Sequence, residues 1–142
     1  MVLELEGHLI EDGNLLSPET VAGEPIGRRA ESERLRTCLA PMLRGQPPLN
    51  DWFCGPPGSG KTLLARWAVE GTCSSAASRV GVYVNCWEHR SLYSVLQAII
   101  DELKILGAEA QDTNVKIDRI RQALRGRPFI VILDEIDRPM PA

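Results

Sequence analysis

The stretch that most constrains this chain is GPPGSGKT, Gly55 to Thr62, which satisfies G-x-x-x-x-G-K-[ST] at every fixed position. A polyphosphate needs several donors converging at short range, and a tight glycine loop supplies them from backbone amides without side-chain bulk. Gly58 and Gly60 leave room for that approach, and the helix that follows points its positive end at the anion. Lys61 is placed to reach the β- and γ-phosphates as a point charge, and Thr62 to offer its hydroxyl to Mg²⁺. With Pro57, Ser59 and Leu63, these residues make up the candidate phosphate-binding set. The motif requires a strand before it and a helix after it; a chance match in a glycine-rich turn is the alternative.

The rest of the chain supplies that context. Residues 1–28 are polar and turn-rich without helical or strand period, so an extended arm is expected there, followed by one domain over 29–142. Leu35, Leu39, Met42 and Leu43 predict a helix from about Arg29 to Arg44, which GQPPLN breaks. DWFC, 51–54, is a short strand candidate weakened by Asp51. Helical period resumes from Lys61 to about Glu70, and 71–78 reads as a loop. VGVYVN is a second strand. Leu92, Val95, Leu96, Ile99, Leu103 and Leu106 predict the strongest amphipathic helix, capped by Ser91. A shorter helix, about Asn114 to Leu124, buries Ile117, Ile120 and Leu124. The near-continuous apolar FIVIL, Phe129 to Leu133, fits a central strand covered on both faces. Strands separated by helices of this length need crossover connections, so the fold class is α/β, a parallel sheet with flanking helices.

At the end of that last strand stand Asp134 and Glu135. Neighbouring residues on an extended chain project to opposite sides, so two adjacent acids can do two jobs. Asp134 can hold a metal through its water shell, and Glu135 can polarise a water for in-line attack on a γ-phosphate. A charged turn closing a strand is the bland alternative.

Composition narrows the classes. Hydrophobic residues at 44% and charged residues at 25% match a globular domain and argue against disorder or a fibrous repeat. Apolar runs reach five residues or so, far short of the roughly 20 needed to span a bilayer, and no basic-then-apolar leader opens the chain. A cytoplasmic protein without membrane association is expected. Cys38, Cys54, Cys73 and Cys86 form no C-x-x-C pair, and His8 and His89 stand apart from them, so reduced, mostly buried thiols are expected rather than a metal site. A net charge of −3 excludes a whole-surface nucleic-acid footprint. The basic run RIRQALRGR, Arg119 to Arg127, is expected to be a solvated helix face, with phosphate contact the alternative. Trp52 and Trp67 fall on apolar periods and are expected in the core; Trp87 is unassigned.

GPPGSGKT followed by DEID after an apolar strand resembles the AAA+ class of P-loop NTPases. LLSPETV, EPIGRRAE, LAPMLRGQPPLNDWFCGPPGSGKT, VYVNCWEHRSLYSVLQAIIDEL and VILDEID narrow the resemblance to the archaeal replication initiators of the origin recognition complex subunit 1 and cell division control protein 6 family, over nearly the whole chain. The departures are Arg29, where an acid is usual, Ala22, where proline is usual, and Asp51 in a normally apolar strand.

The resemblance implies an arm folded over adenine, with Pro25, Ile26, Gly27 and Arg28 lining the base pocket. It also implies that Asn85 hydrogen-bonds the catalytic Glu135 until a partner binds; capping a strand end is the other reading of Asn85. The cofactors implied are ATP or ADP with Mg²⁺, and the partners of the full-length family are origin DNA, a replicative helicase and other initiator subunits or a second copy. The family's γ-phosphate-sensing strand, interprotomer arginine, lid and winged-helix domain have no counterpart within these residues, so the sheet is expected to be incomplete on its C-terminal side, with a gap between 51–54 and the Asp134 strand. An arginine alone is worth ~10³ or more in related phosphoryl transfer, so weak or negligible turnover is expected of this chain. Three functions stay open: an initiator ATPase switch, a truncated nucleotide-binding homologue, and a signalling or transposition-helper ATPase of the same fold.

Overall fold

The structure, a computed structural model, describes residues 23–74, 80–107 and 112–137. The greater part of the expected arm, Ala22 included, and the end of the chain past 137 lie outside them.

Helix α1 spans Arg29–Leu39 and continues as a 3-10 turn over Ala40–Arg44. The single helix expected here changes pitch because Pro41 has no N–H to continue the ladder. Met42 is nevertheless buried, whereas Leu43 is exposed. Helix α2, Lys61–Cys73, outruns its expected end by taking Gly71 into its last turn. Strand β1 is Val80–Asn85 and strand β2 is Phe129–Asp134, both where the apolar runs put them. They pair in parallel from Val80↔Phe129 to Asn85↔Asp134.

Helix α3, Leu92–Glu102, starts on a capping box in which Ser91 Oγ accepts from Ser94 N and Ser94 Oγ accepts from Ser91 N. It ends before Leu106, a correction to the expected span. Lys104 turns into the left-handed region at φ 54°, its N–H bonds Asp101 O, and Ile105 N bonds Ile100 O, which closes the helix as a Schellman motif. Leu106 beyond it and Leu92 at the start are exposed. Helix α4 is Thr113–Leu124. Its Lys116 is fully buried, its ammonium donating to Gln97 Oε1 and lying 3.8 Å from the centre of the Tyr93 ring. That contact ties α4 to α3 through a residue whose charge gave no hint of burial.

The sheet sorts its side chains by alternation. Val82, Val84, Phe129 and Val131 pack with Val95, Leu96, Ile99, Ile100, Ile120 and Leu124 from α3 and α4. On the other face Ile130 and Ile132 meet Leu64, Ala68 and Val69 of α2 and Leu35 and Leu39 of α1. A Cβ on Gly81 would lie 2.5 Å from Val69 Cγ1, so α2 crosses β1 where only glycine leaves space. The face carrying Gly81 therefore also carries Tyr83 and Asn85.

Among the described residues the sheet meets one expectation, a gap beside the Asp134 strand, and corrects another, the strand at 51–54. β2 is covered on both faces but is paired along one edge among the described residues, and Leu133 is 41% exposed. DWFC forms no ladder: 51–56 carry no strand assignment. Phe53 packs against the α1–α2 core, but Trp52, expected inside, is 67% exposed. Asp51, which looked like a flaw in a strand, accepts from Arg34 Nη2 at 2.5 Å and from Trp52 N, anchoring the segment to α1. Trp67 is partly buried in that core, with the Arg36 guanidinium 5.0 Å from its ring centre. Of the four free cysteines only Cys86 is buried; Cys54 is exposed and Cys38 and Cys73 are half-buried, so most do not match the buried expectation. The Arg119–Arg127 run is engaged locally: Arg119 bonds Leu106 O, Arg121 pairs with Asp118, and Arg127 bonds the carbonyls of Ala123 and Leu124. No described helix is long and apolar enough to cross a membrane.

Candidate functional site

The loop before α2 bends as its glycines allow. Gly58 and Gly60 sit at φ 73° and 82°, a region that costs other L-residues ~1–2 kcal/mol. Gly60 is the N-cap of α2 and has no side chain to occupy the first amides, leaving them for an incoming acceptor. Inside the loop, Lys61 Nζ donates to Gly55 O and Pro56 O, 2.9 Å each. The ammonium thus lies within the loop's own curve. Ser59 Oγ is buried with no hydrogen-bond partner among the described residues, as a polar group built for an external acceptor would be. Pro57, Gly58 and Leu63 are exposed around the loop.

The strand-end acids meet this loop through Thr62. Its Oγ1 donates to Asp134 Oδ2 at 2.7 Å, joining residues 72 positions apart. Asp134 Oδ1 accepts from Glu135 N at 3.0 Å, and Oδ2 also accepts from Tyr83 Oη at 2.9 Å. The Arg66 guanidinium covers the Tyr83 ring, 3.8 Å from its centre. Burial, then the hydrogen bond and negative charge of Asp134, push the Tyr83 phenol above its usual range, so it stays a neutral donor at working pH. Burial and the same carboxylate raise the Cys86 thiol, whose N–H bonds Asp134 O.

Glu135 is exposed and sits at φ 55°, a left-handed conformation rare for glutamate. Asn85 is the register partner of Asp134, and its Oδ1 accepts from Trp87 N, capping the turn after β1. On the arm side, Arg28 Nη2 donates to Ser59 O at 2.7 Å while Nη1 pairs with Glu31, whose carboxyl this bond holds below its usual range. Arg28 therefore touches the glycine loop before α2 itself. Gly27 turns the chain at φ 74°, Pro25 is half-buried and Ile26 stands fully in solvent.

The geometry brings Thr62, Asp134, Lys61 and Arg28 to one loop. Tyr83 escaped the sequence reading because its hydroxyl matches no motif. The available signal was alternation: a tyrosine between two buried valines faces the side of the sheet where Asp134 also lies.

The donor set suits a hard cation. One hydroxyl and one carboxylate oxygen are what Mg²⁺ takes from protein when phosphates and waters supply the rest. Thr62 donates its hydrogen bond to Asp134 and keeps oxygen lone pairs that an ion could take.

Comparisons with known proteins agree with this geometry. A family model described as AAA domain matches residues 52–142. The chain is 33% identical over 133 residues to ORC1-type DNA replication protein 1 of Halobacterium salinarum, covering 92% of this chain and 43% of that protein. It is 32% identical to the ORC1-type DNA replication protein 1 of Aeropyrum pernix, covering 94% of this chain and 35% of that one. Among solved structures it resembles the Aeropyrum pernix ORC1 protein in complex with DNA, at TM-score 0.74 and 32% identity over 89% of this chain and 36% of that one. It also resembles the Aeropyrum pernix ORC2 protein in ADPNP-ADP complexes, at TM-score 0.73 and 26% identity over 93% and 38%. The chain thus spans less than half the length of these relatives. With the phosphate loop, the parallel strands and these likenesses together, the chain belongs to the AAA+ family, among the archaeal ORC1-type DNA replication proteins.

Proposed function

We propose that this chain is the ATP-binding module of a DNA replication initiator, in which nucleotide binding and slow hydrolysis act as a switch for work on origin DNA and helicase loading in the cytoplasm. The observation that carries the reading is the 2.7 Å bond from Thr62 to Asp134, which unites the phosphate loop with the strand-end acid. The backbone amides opening α2 bind the β-phosphate, and Lys61 exchanges the Gly55 and Pro56 carbonyls for the β- and γ-phosphate oxygens. Thr62 and Asp134 would hold Mg²⁺, which would neutralise charge on those oxygens. Glu135, next to Asp134 in the chain, orients a water and takes its proton as that water attacks the γ-phosphorus and the bond to the β–γ bridging oxygen breaks, releasing ADP.

The contact from Arg28 to Ser59 O supports an adenine position between the arm, Pro25 to Arg28, and the loop. Asn85, level with Asp134 in the sheet, supports a polar restraint on the same cluster. A DNA partner is supported by a relative solved in complex with DNA; helicase and neighbouring subunits belong to the proposal through the family resemblance alone. The second reading, a nucleotide holder with negligible turnover, is favoured by the edge of β2 beside Asp134 that no strand among the described residues pairs.

The test is binding of a fluorescent ATP analogue with Mg²⁺ to the purified chain. Lys61→Ala should weaken it at least ~100-fold, the loss of a charge-assisted contact of about 3 kcal/mol. Equal affinity in the variant removes the phosphate-loop assignment.

A further inference from the structure

We infer that Tyr83 is a positioning residue for the metal-holding carboxylate, fixing Asp134 through its hydroxyl while Arg66 fixes its ring. The inference rests on the nucleotide-and-metal reading of the loop and adds to it a residue that the motif does not contain.

Three elements converge on one phenol. Tyr83 pairs in register with Ile132, so Asp134 lies two residues further along the neighbouring strand on the same face, the diagonal reach of a long aromatic side chain. Its Oη donates to Asp134 Oδ2 at 2.9 Å. Arg66 lies one helical turn after Thr62 on α2, hence on the same side of that helix, and its guanidinium lies 3.8 Å from the ring centre. The helix that presents Thr62 to Asp134 thus also clamps the tyrosine that holds Asp134.

The effect on the carboxylate follows from counting donors. Oδ2 accepts from Thr62 and Tyr83, and Oδ1 from the Glu135 amide. The Thr62 hydroxyl is itself a metal ligand in the proposed site, and the Glu135 amide belongs to a strained turn at the end of the strand. Tyr83 is the donor anchored in the sheet, half-buried under Arg66 and clear of the phosphate loop. It sets the rotation of the carboxylate before an ion arrives, so Mg²⁺ meets an ordered oxygen.

Tyr83→Phe keeps the ring and its stack on Arg66 and removes the hydroxyl alone. Affinity for a fluorescent ATP analogue should be measured in EDTA and across a series of free Mg²⁺ concentrations, for wild type, Tyr83→Phe, Asp134→Asn and the double variant. The expected result is an unchanged affinity in EDTA and a rise of roughly tenfold in the Mg²⁺ needed for half-maximal tightening. In the Asp134→Asn background the same change should add less than twofold, because the tyrosine acts through that carboxylate. A Mg²⁺ midpoint within twofold of wild type overturns the inference, as does a full additional loss in the double variant. A Tyr83→Phe affinity reduced equally with and without Mg²⁺ also overturns it, marking a general packing role. Absence of any Mg²⁺-dependent tightening in wild type fails the metal reading itself and takes this inference with it.

Discussion

Glu135 occupies a backbone conformation that its side chain does not favour. At φ 55° a glutamate is strained, and the next residue after a strand is a place where glycine would serve a turn at less cost. Replacement by glycine should relieve that strain, offset in part by the freedom glycine has when unfolded, for a net gain of ~0.5–1 kcal/mol in urea unfolding. Glu135→Gln keeps the strain and should leave both stability and Mg·ATP affinity unchanged. Where wild type turns over in a phosphate-release assay, Glu135→Gln should lower that turnover by about 10²–10⁴, the usual worth of a general base. A stabilised glycine variant beside a dead glutamine variant would mean that the strain is kept for the carboxylate; unaltered turnover in Glu135→Gln would remove the residue from the chemistry. The two acids were legible as a pair from their place after FIVIL. The strain was not, because a dihedral angle is set by how the chain leaves the strand.

Elements begin and end here by local chemistry that is partly written in the residues themselves. Ser91 was recognisable as an N-cap, and its reciprocal bonds with Ser94 close a box usually completed by glutamate or glutamine. Ser91→Ala should destabilise the protein by ~0.5–2 kcal/mol in thermal or urea unfolding, and a change below ~0.3 kcal/mol would mean that packing of α3 carries its start. The other end of α3 was misjudged. Periodicity carried the apolar face on to Leu106, but a lysine in the left-handed region closes the helix at Glu102, four residues sooner. No glycine stands there to announce it. Likewise the apolar period runs straight through Pro41, whose missing N–H changes the pitch, and Met42 stays buried in the 3-10 turn that follows.

At the scale of the molecule, the two layers of helices are held at a sheet whose spacing depends on Gly81. A methyl there would lie 2.5 Å from Val69 Cγ1 and 3.1 Å from Cys73 Sγ, so Gly81→Ala must push α2 off β1. Overpacking of this kind costs ~1–3 kcal/mol, to be read as a lowered urea midpoint with unchanged slope. An unchanged midpoint would mean that α2 shifts freely, and the alignment of Thr62 with Asp134 would need another source. The segment 51–54 shows the reverse case, in which pattern suggested a strand and the assembly withheld one. A strand exists only where a neighbour accepts its ladder, and Asp51 is instead bound to Arg34 on α1.

Legible along the chain alone were the tight glycine loop, the two strands that pair, the N-cap of α3, and the places of Thr62, Asp134 and Glu135 at the ends of their elements. These depend on residues adjacent in the chain, where glycine, proline, hydroxyl and alternating apolar residues act over a few bonds. Only the tertiary structure decided that Tyr83 and Arg66 support Asp134, that Arg28 meets the phosphate loop, that Lys116 is buried under Tyr93, and that Trp52 lies outside. Each of these depends on the register of β1 against β2 or on where a helix crosses the sheet. Such contacts join side chains far apart in sequence, and no local pattern encodes which of them meet.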